Sequence, residues 1–173
     1  SALISDAVAD PDDVFPFMSL VVSGGHTCLV QVDGPGDYTL FGQTIDDAAG
    51  AAFDKGANLL GLGYPGGPAI DRASRGGHRD HVKFPRGRVK KQRGLNLETG
   101  YCFSYSGLKT ALLYHLKKEP RTDGADISSL AASYQEAIVV TLVDRCDAVM
   151  NGIKTLAVGG GVSLNSRLRE RLS

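Results

Sequence analysis

Three groups of glycine interrupt this chain: Gly24–Gly25, the run from Gly61 to Gly67, and Gly159–Gly161. Glycine makes up 22 of the 173 residues, against a usual ~7%. The glycines form neither a repeat nor a low-complexity tract. Clustered in this way, they let backbone approach a ligand closely or take positive φ. Each group also falls where one kind of structure gives way to another, so together they set the layout of the fold.

The apolar run Phe15–Val22 is rich in strand formers, and His26–Val32 resumes it after Ser23-Gly24-Gly25. That pattern predicts a β-hairpin. Asp33–Gly36 is the next turn and Tyr38–Gln43 a third strand. Thr44 is expected to cap a helix running to about Leu60, with Asp47 as its acidic partner. Ala48, Ala49, Ala52 and Phe53 form its apolar stripe. Gly50 and Gly56 within it each cost ~1 kcal/mol against alanine, so something is expected to pack close to that backbone. Pro68 suits the first position of a short helix carrying Asp71. Tyr101–Tyr105 reads as a weak strand. Ser106 is expected to cap a helix ending before Pro120. Asp126 is expected to cap the longest helix, Ile127 to Met150, with Ile127, Leu130, Tyr134, Ile138, Leu142, Cys146 and Val149 on one stripe. Lys154–Val158 is a short strand, and Asn165 caps a last helix after the glycine turn. The class is α/β. Residues 1–14 read as a linker or the remainder of a preceding part, and residues 15–173 as one lobe. The chain opens on Ser1 and stops within the last predicted helix, so it is expected to be a piece of a longer protein.

Composition excludes some functions. Nineteen basic and nineteen acidic residues give no overall charge, so any pull on nucleic acid must be local. Eight of those bases lie within Arg75–Arg93 beside a single acid, Asp80. That run fits contact with RNA phosphates and fits a solvated loop equally well. No apolar stretch approaches the ~20 residues that cross a bilayer, and no signal peptide is visible, which predicts a cytoplasmic protein without membrane contact. Cys28, Cys102 and Cys146 show neither CxxC pairing nor zinc spacing and read as reduced thiols. His78 and His81 lack accompanying carboxylates and read as surface histidines, as does His115 at its helix edge. No HExxH motif or nucleophile elbow points to a protease.

Three segments carry candidate chemistry. Ser23-Gly24-Gly25-His26-Thr27 offers backbone N–H groups and hydroxyls as a phosphate nest; a plain tight hairpin explains the same residues. Gly159–Asn165 follows a strand and opens a helix, where a ligand can sit at the helix N-terminus; Asn165 offers donor and acceptor, or serves only as a cap. Asp54, with Gly66, Gly67 and Asp71 beyond it, can take the two hydroxyls of a ribose; the plain alternative is a solvated helix aspartate. Together, two glycine bends and an acidic helix can surround one nucleotide.

The segments SGGHT at 23–27, IDDAAGAAFDK at 45–55, YPGGPAID at 64–71, FSYSGLKT at 103–110 and GGVSLN at 160–165 occur in one order. In that order they resemble the tRNA N(6)-adenosine threonylcarbamoyltransferase family, whose FSFSGLKT differs from FSYSGLKT by one aromatic. The resemblance spans about Phe15 to Leu172. It implies the second lobe of an actin-like ATPase (ribonuclease H-like) fold. It also implies transfer of a threonylcarbamoyl group from threonylcarbamoyl-AMP to the adenosine 3′ of a tRNA anticodon, together with partner proteins of the complex that forms this modification. By the same resemblance, Val21, Val22, Ser23, Gly24 and Gly25 would hold the phosphate and acyl region of the adenylate. Asp54, Gly67, Asp71 and Asn165 would hold its nucleoside, and His26 would hydrogen-bond nearby. The family's divalent metal, iron or zinc, is held by histidines upstream of SGGHT and an aspartate downstream of GGVSLN, so no metal ligand is assigned within these residues. A carbamoyltransferase of hydrogenase maturation shares this lobe and is the alternative enzyme; FSYSGLKT argues against it. A non-catalytic scaffold paralogue would lack parts of the nucleotide constellation, and all of them occur here.

Overall fold

The computed structural model describes residues 14–87, 89, 94, 96–119 and 124–173. Almost all of the expected linker 1–14 lies outside these. The elements in order are β1 (Phe17–Val22), β2 (Thr27–Gly34), β3 (Asp37–Gln43), α1 (Ala49–Leu60), α2 (Gly66–Ala73), α3 (Ser106–Lys118), α4 (Gly124–Val149), β4 (Leu156–Gly159), a 3-10 turn (Gly161–Leu164) and α5 (Ser166–Leu172). Strands and helices share one core, so the α/β class holds.

The hairpin forms as the sequence predicts. β1 and β2 pair antiparallel from Phe17↔Val32 to Val22↔Thr27, and Ser23 N–H donates to His26 O at 2.8 Å to close the turn. β3 continues the antiparallel run beside β2. β4 arrives after four helices and lies parallel to β1, giving the order β3-β2-β1-β4. Met18, Leu20 and Val22 alternate with Ser19 and Val21 along β1 and are fully buried, as period-two patterning requires. They join Phe53, Tyr134, Ile138 and Leu142 in the main core.

Several helix starts differ from expectation, and for α1 and α3 the reason is that the caps come from distant chain. α1 begins at Ala49 rather than after Thr44, and its flanking residue Ala48 has no side-chain cap. The Ala49 N–H instead donates to Thr27 Oγ1, 22 residues earlier, and the Gly50 N–H to Ser23 O. The Thr44 hydroxyl turns to Asp47 O. α3 is capped by Asp46, not Ser106. One Asp46 oxygen accepts the Tyr105 N–H at 2.7 Å and the Ser106 N–H, and the other accepts both serine hydroxyls, Ser104 and Ser106. α2 starts two residues before Pro68, and α4 two before Asp126. Tyr101–Tyr105 forms no strand, only an isolated bridge of Phe103 to Thr44.

α4 is not the one-sided helix its stripe implies. Leu130, Tyr134, Ile138, Leu142, Cys146 and Val149 are buried, and Ile127 half so. However, every residue from Ser129 to Val143 except Glu136 is buried too. The helix runs through the middle of the molecule, and its buried polar side chains are bonded, as burial demands. The two glycines of α1 answer the close approach expected of them. A Cβ at Gly50 would lie 2.6 Å from Ser23 O, and one at Gly56 would lie 2.3 Å from the Tyr134 ring. Tyr134 Oη also donates to Ala52 O, so α1 and α4 meet backbone to ring.

Candidate nucleotide cleft

The hairpin tip, the junction of α1 with α2, and the glycine turn before α5 converge on one cleft. Its volume is about 560 Å3. Gly24 comes from the hairpin, Gly50, Phe53 and Asp54 from α1, and Gly67, Asp71, Arg72 and Arg75 from α2 and its end. Gly161, Val162, Leu164 and Asn165 come from the turn. These segments are far apart in sequence, so the convergence is a product of the fold.

Each wall has a local cause. Between β1 and β2 the Ser23 N–H and His26 N–H are spent inside the turn. The Gly24 and Gly25 amides meet no acceptor among the described residues, and Gly24 faces the cleft. Asp54 Oδ1 accepts the Gly66 N–H at 2.7 Å, so this carboxylate caps α2 while lining the cleft. Lys55 pairs with Asp47 and leaves Asp54 alone. Asp71 Oδ1 accepts the Ser166 hydroxyl, tying α2 to α5. Gly160, at φ 99°, turns the chain against Val22, whose carbonyl oxygen a Cβ there would meet at 2.3 Å.

Asn165 does cap α5: its Oδ1 accepts the Leu168 N–H. Its Nδ2 donates to Gln135 Oε1 at 2.7 Å, and the residue is only 7% exposed. Gln135 Nε2 in turn donates to Ser74 Oγ, which donates to Asp71 O. A buried chain of polar groups thus joins α5, α4 and α2 behind the cleft. Asn165 shows a ligand mainly its second amide proton, less than the free donor and acceptor the sequence promised.

The fold therefore brings Gly24, Asp54, Gly67, Asp71 and Asn165 together. Val21, Val22, Ser23 and Gly25 do not line the cleft: Val22 is in the core, Val21 points to the other sheet face, and Ser23 contributes only its carbonyl to Gly50. Gly24, Gly67 and Gly161 have open space where a Cβ would stand. Packing therefore does not require their bareness; it leaves room in the cleft. Sequence reading missed Tyr64 and Leu164, which lie at the cleft 85% and 74% exposed, and Arg72 and Arg75. The signals available were that Tyr64 and Leu164 lie within YPGGPAID and GGVSLN and that Arg75 opens the basic run. Within that run, Arg88, Lys90, Lys91 and Arg93 lie outside the described residues.

His26, His78 and His81 are exposed and line no part of this cleft. Among the described residues no group of three or more His, Cys, Asp or Glu is arranged to hold a metal ion, so these residues do not fit the metal that the resemblance implies. The cysteines are unpaired; burial pushes Cys146 up to about 12 and raises Cys28, which makes both poor nucleophiles. No helix of the described residues is long and apolar enough to cross a membrane.

Comparison with known proteins shows the family. A family model described as tRNA N6-adenosine threonylcarbamoyltransferase matches residues 1–173. A protein of that name from Anaeromyxobacter sp. (strain Fw109-5) is 50% identical over 169 residues, covering 96% of this chain and 49% of the relative. One from Trichlorobacter lovleyi is 52% identical over 161 residues, covering 91% and 45%. One from Bordetella avium is 47% identical over 177 residues, covering 99% and 49%. The chain spans about half the length of the curated relatives it matches.

Proposed function

This chain belongs to the tRNA N6-adenosine threonylcarbamoyltransferase family, and from that premise we propose that it is the nucleotide-holding lobe of an enzyme that modifies tRNA. The complete protein would transfer threonylcarbamoyl from threonylcarbamoyl-AMP to the N6 amine of the adenosine 3′ of the anticodon, in tRNAs reading codons that begin with A. AMP leaves. Residues 15–173 would be most of the second lobe of an actin-like ATPase architecture, with residues 1–14 as linker. A sheet of three antiparallel strands joined by a parallel fourth is consistent with that design. The protein would work in the cytoplasm with tRNA and the partner proteins of its complex. The divalent iron or zinc would be held by groups outside this chain.

The observation that carries the reading is the single cleft that gathers Gly24, Asp54, Gly67, Asp71 and Asn165. Asp54 and Asp71 are the carboxylates available to a ribose diol. The free Gly24 amide at the hairpin tip can steady a phosphate without reorganising. The adenine amine is a weak nucleophile, so catalysis here depends on holding the mixed anhydride still while its carbonyl is polarised.

Because Asp54 also caps α2, replacing it with alanine would cost fold stability of about 1 kcal/mol. Asp54→Asn keeps an acceptor for Gly66, and Gly67→Val fills open space. Both variants of the complete protein are expected to keep the wild-type melting temperature within a few degrees. Each should lose most AMP binding by calorimetry and most tRNA modification. Wild-type affinity in both would remove this cleft from the site.

A further inference from the structure

We propose that residues 75–86 form a fixed cationic rail that holds the phosphate backbone of the RNA substrate and leads its adenosine into the cleft. The inference rests on the tRNA-modifying reading above and adds where the RNA lies.

The segment after α2 has no helix or strand of its own, yet it is fixed in place. Its backbone is stitched to buried serines of α4. The His78 N–H donates to Ser129 Oγ at 3.3 Å, the Val82 N–H donates to Ser133 Oγ at 3.1 Å, and Ser133 Oγ donates back to His78 O at 3.1 Å. Phe84 is buried edge-on against Tyr134. Arg145 donates to Gly87 O and Cys102 O. A solvated loop does not need its backbone bonded to hydroxyls buried in the central helix.

What this fixed backbone presents outward is charge. Arg75, Arg79, Lys83 and Arg86 are exposed and recur every three or four residues, with Asp80 the one acid among them. Arg75, Lys83 and the neighbouring Arg72 make no ion pair among the described residues. Arg79 reaches Glu170 at 3.3 Å and Arg86 reaches Asp144 at 4.0 Å, all four side chains being about half exposed or more. Such pairs are weak in water and exchange readily for phosphate. Glu170 is shared with Arg167 at 2.9 Å, and Glu136, a further acid nearby, is taken by Arg167 at 2.7 Å.

The rail also has a direction. The cleft ends on Asp71, Arg72 and Arg75. A second, polar hollow shares Asp71 and Arg75 and runs on to His78 and Arg79. A third shares Arg79 and continues to Lys83 and Arg86. Each hollow thus shares lining residues with the next, so the basic segment runs along the surface from the edge of the cleft. An adenosine within a polynucleotide must enter with its flanking phosphates, each carrying a charge. An acidic protein surface would have no need of continuity with the cleft, so RNA is the occupant the geometry favours.

The test uses the complete protein with its partner proteins and a triple variant, Arg79→Gln with Lys83→Gln and Arg86→Gln, which leaves the cleft residues untouched. The KM for tRNA is expected to rise about tenfold, and the slope of log KM against log salt to fall by about two to three, one for each lost phosphate contact. The kcat and the KM for threonylcarbamoyl-AMP should stay at wild-type values. A single Lys83→Glu variant provides a second reading, with weaker binding of an anticodon stem-loop measured by fluorescence anisotropy and an unchanged melting temperature. A folded triple variant with wild-type KM and salt slope for tRNA overturns the rail. So does a variant that loses a partner protein while binding tRNA normally. A wild-type protein that transfers nothing from threonylcarbamoyl-AMP would sink the parent reading instead, and the two failures are separate measurements.

Discussion

Tyr105 ends the aromatic pair of FSYSGLKT, where the family has phenylalanine. Its ring is buried and stacks on Phe103 with centroids 6.4 Å apart. Its hydroxyl is buried without a hydrogen-bond partner among the described residues, and burial pushes its ionisation well above the ordinary tyrosine value. An unpaired buried hydroxyl costs free energy that the ring does not need. Tyr105→Phe is therefore expected to leave stability unchanged or raise it by about 1 kcal/mol, read from the denaturant midpoint. A loss of that size would mean the hydroxyl has a partner after all. Asp46, which accepts the backbone N–H of this same residue, shows the opposite logic. Burial alone would raise its carboxyl, but hydrogen bonds from Ser104, Tyr105 and Ser106 overcome that and hold it below the usual range. The sequence reading passed over Asp46 because its partners lie about 60 residues away, and local spacing carries no signal for them.

At the scale of elements, α2 and the turn before α5 face each other across the cleft, and Gln135 of α4 spans them. It is 5% exposed and spends its amide on both walls, through Asn165 and Ser74. Gln135→Met keeps the volume and removes both bonds, leaving buried polar groups unpaired at a cost of about 1–3 kcal/mol. If the bridge sets the spacing of the walls, AMP affinity should also fall, by about tenfold, one further 1.4 kcal/mol. Val143→Ala, a buried change on the same helix outside the bridge, supplies a comparison: stability falls and AMP affinity holds. Equal AMP affinity in wild type and Gln135→Met would leave the bridge a structural feature only. This relation explains why parts of the site were legible and others were not. The hairpin could be read because Ser23-Gly24-Gly25 lies between two apolar runs, and the Asn165 cap because it directly precedes its helix. The start of α1 could not be, since Thr27 supplies its cap from another element. Nor could the commitment of Asn165 to Gln135, which depends on how α4 crosses the core.

For the whole molecule, zero net charge conceals an uneven arrangement. One cluster of charge locks α5 onto α4: Arg167 donates to both oxygens of Glu136, at 2.7 and 2.9 Å, with Arg171 at 3.7 Å and Glu170 alongside. Sequence alone gave no reason to link residue 136 with 167, because the pairing depends on where the parallel β4 delivers the chain. The Arg167 hydrogen bonds hold the Glu136 carboxyl below its ordinary range, against the smaller upward push of burial. The folded protein therefore releases that proton more readily than the unfolded chain. Its contribution to stability is fully present above the unfolded carboxylate value of ~4.3, and it disappears as pH falls through the lower folded value. Asp46 contributes with the same sign, so acid should loosen the start of α3 and the seat of α5 together. Because water reaches part of the Glu136 site, Glu136→Gln is expected to cost about 1 kcal/mol at neutral pH. Urea midpoints of the two proteins should converge toward the acid limit at which the wild-type carboxyl, held below its ordinary range, is itself protonated. A gap that stays constant from pH 7 to that limit would mean that packing by the side chain, and not its charge, holds α5 in place. The turn that forms one wall of the cleft precedes α5 directly, so a loosened clamp should weaken AMP binding over the same acid range in which the midpoints converge.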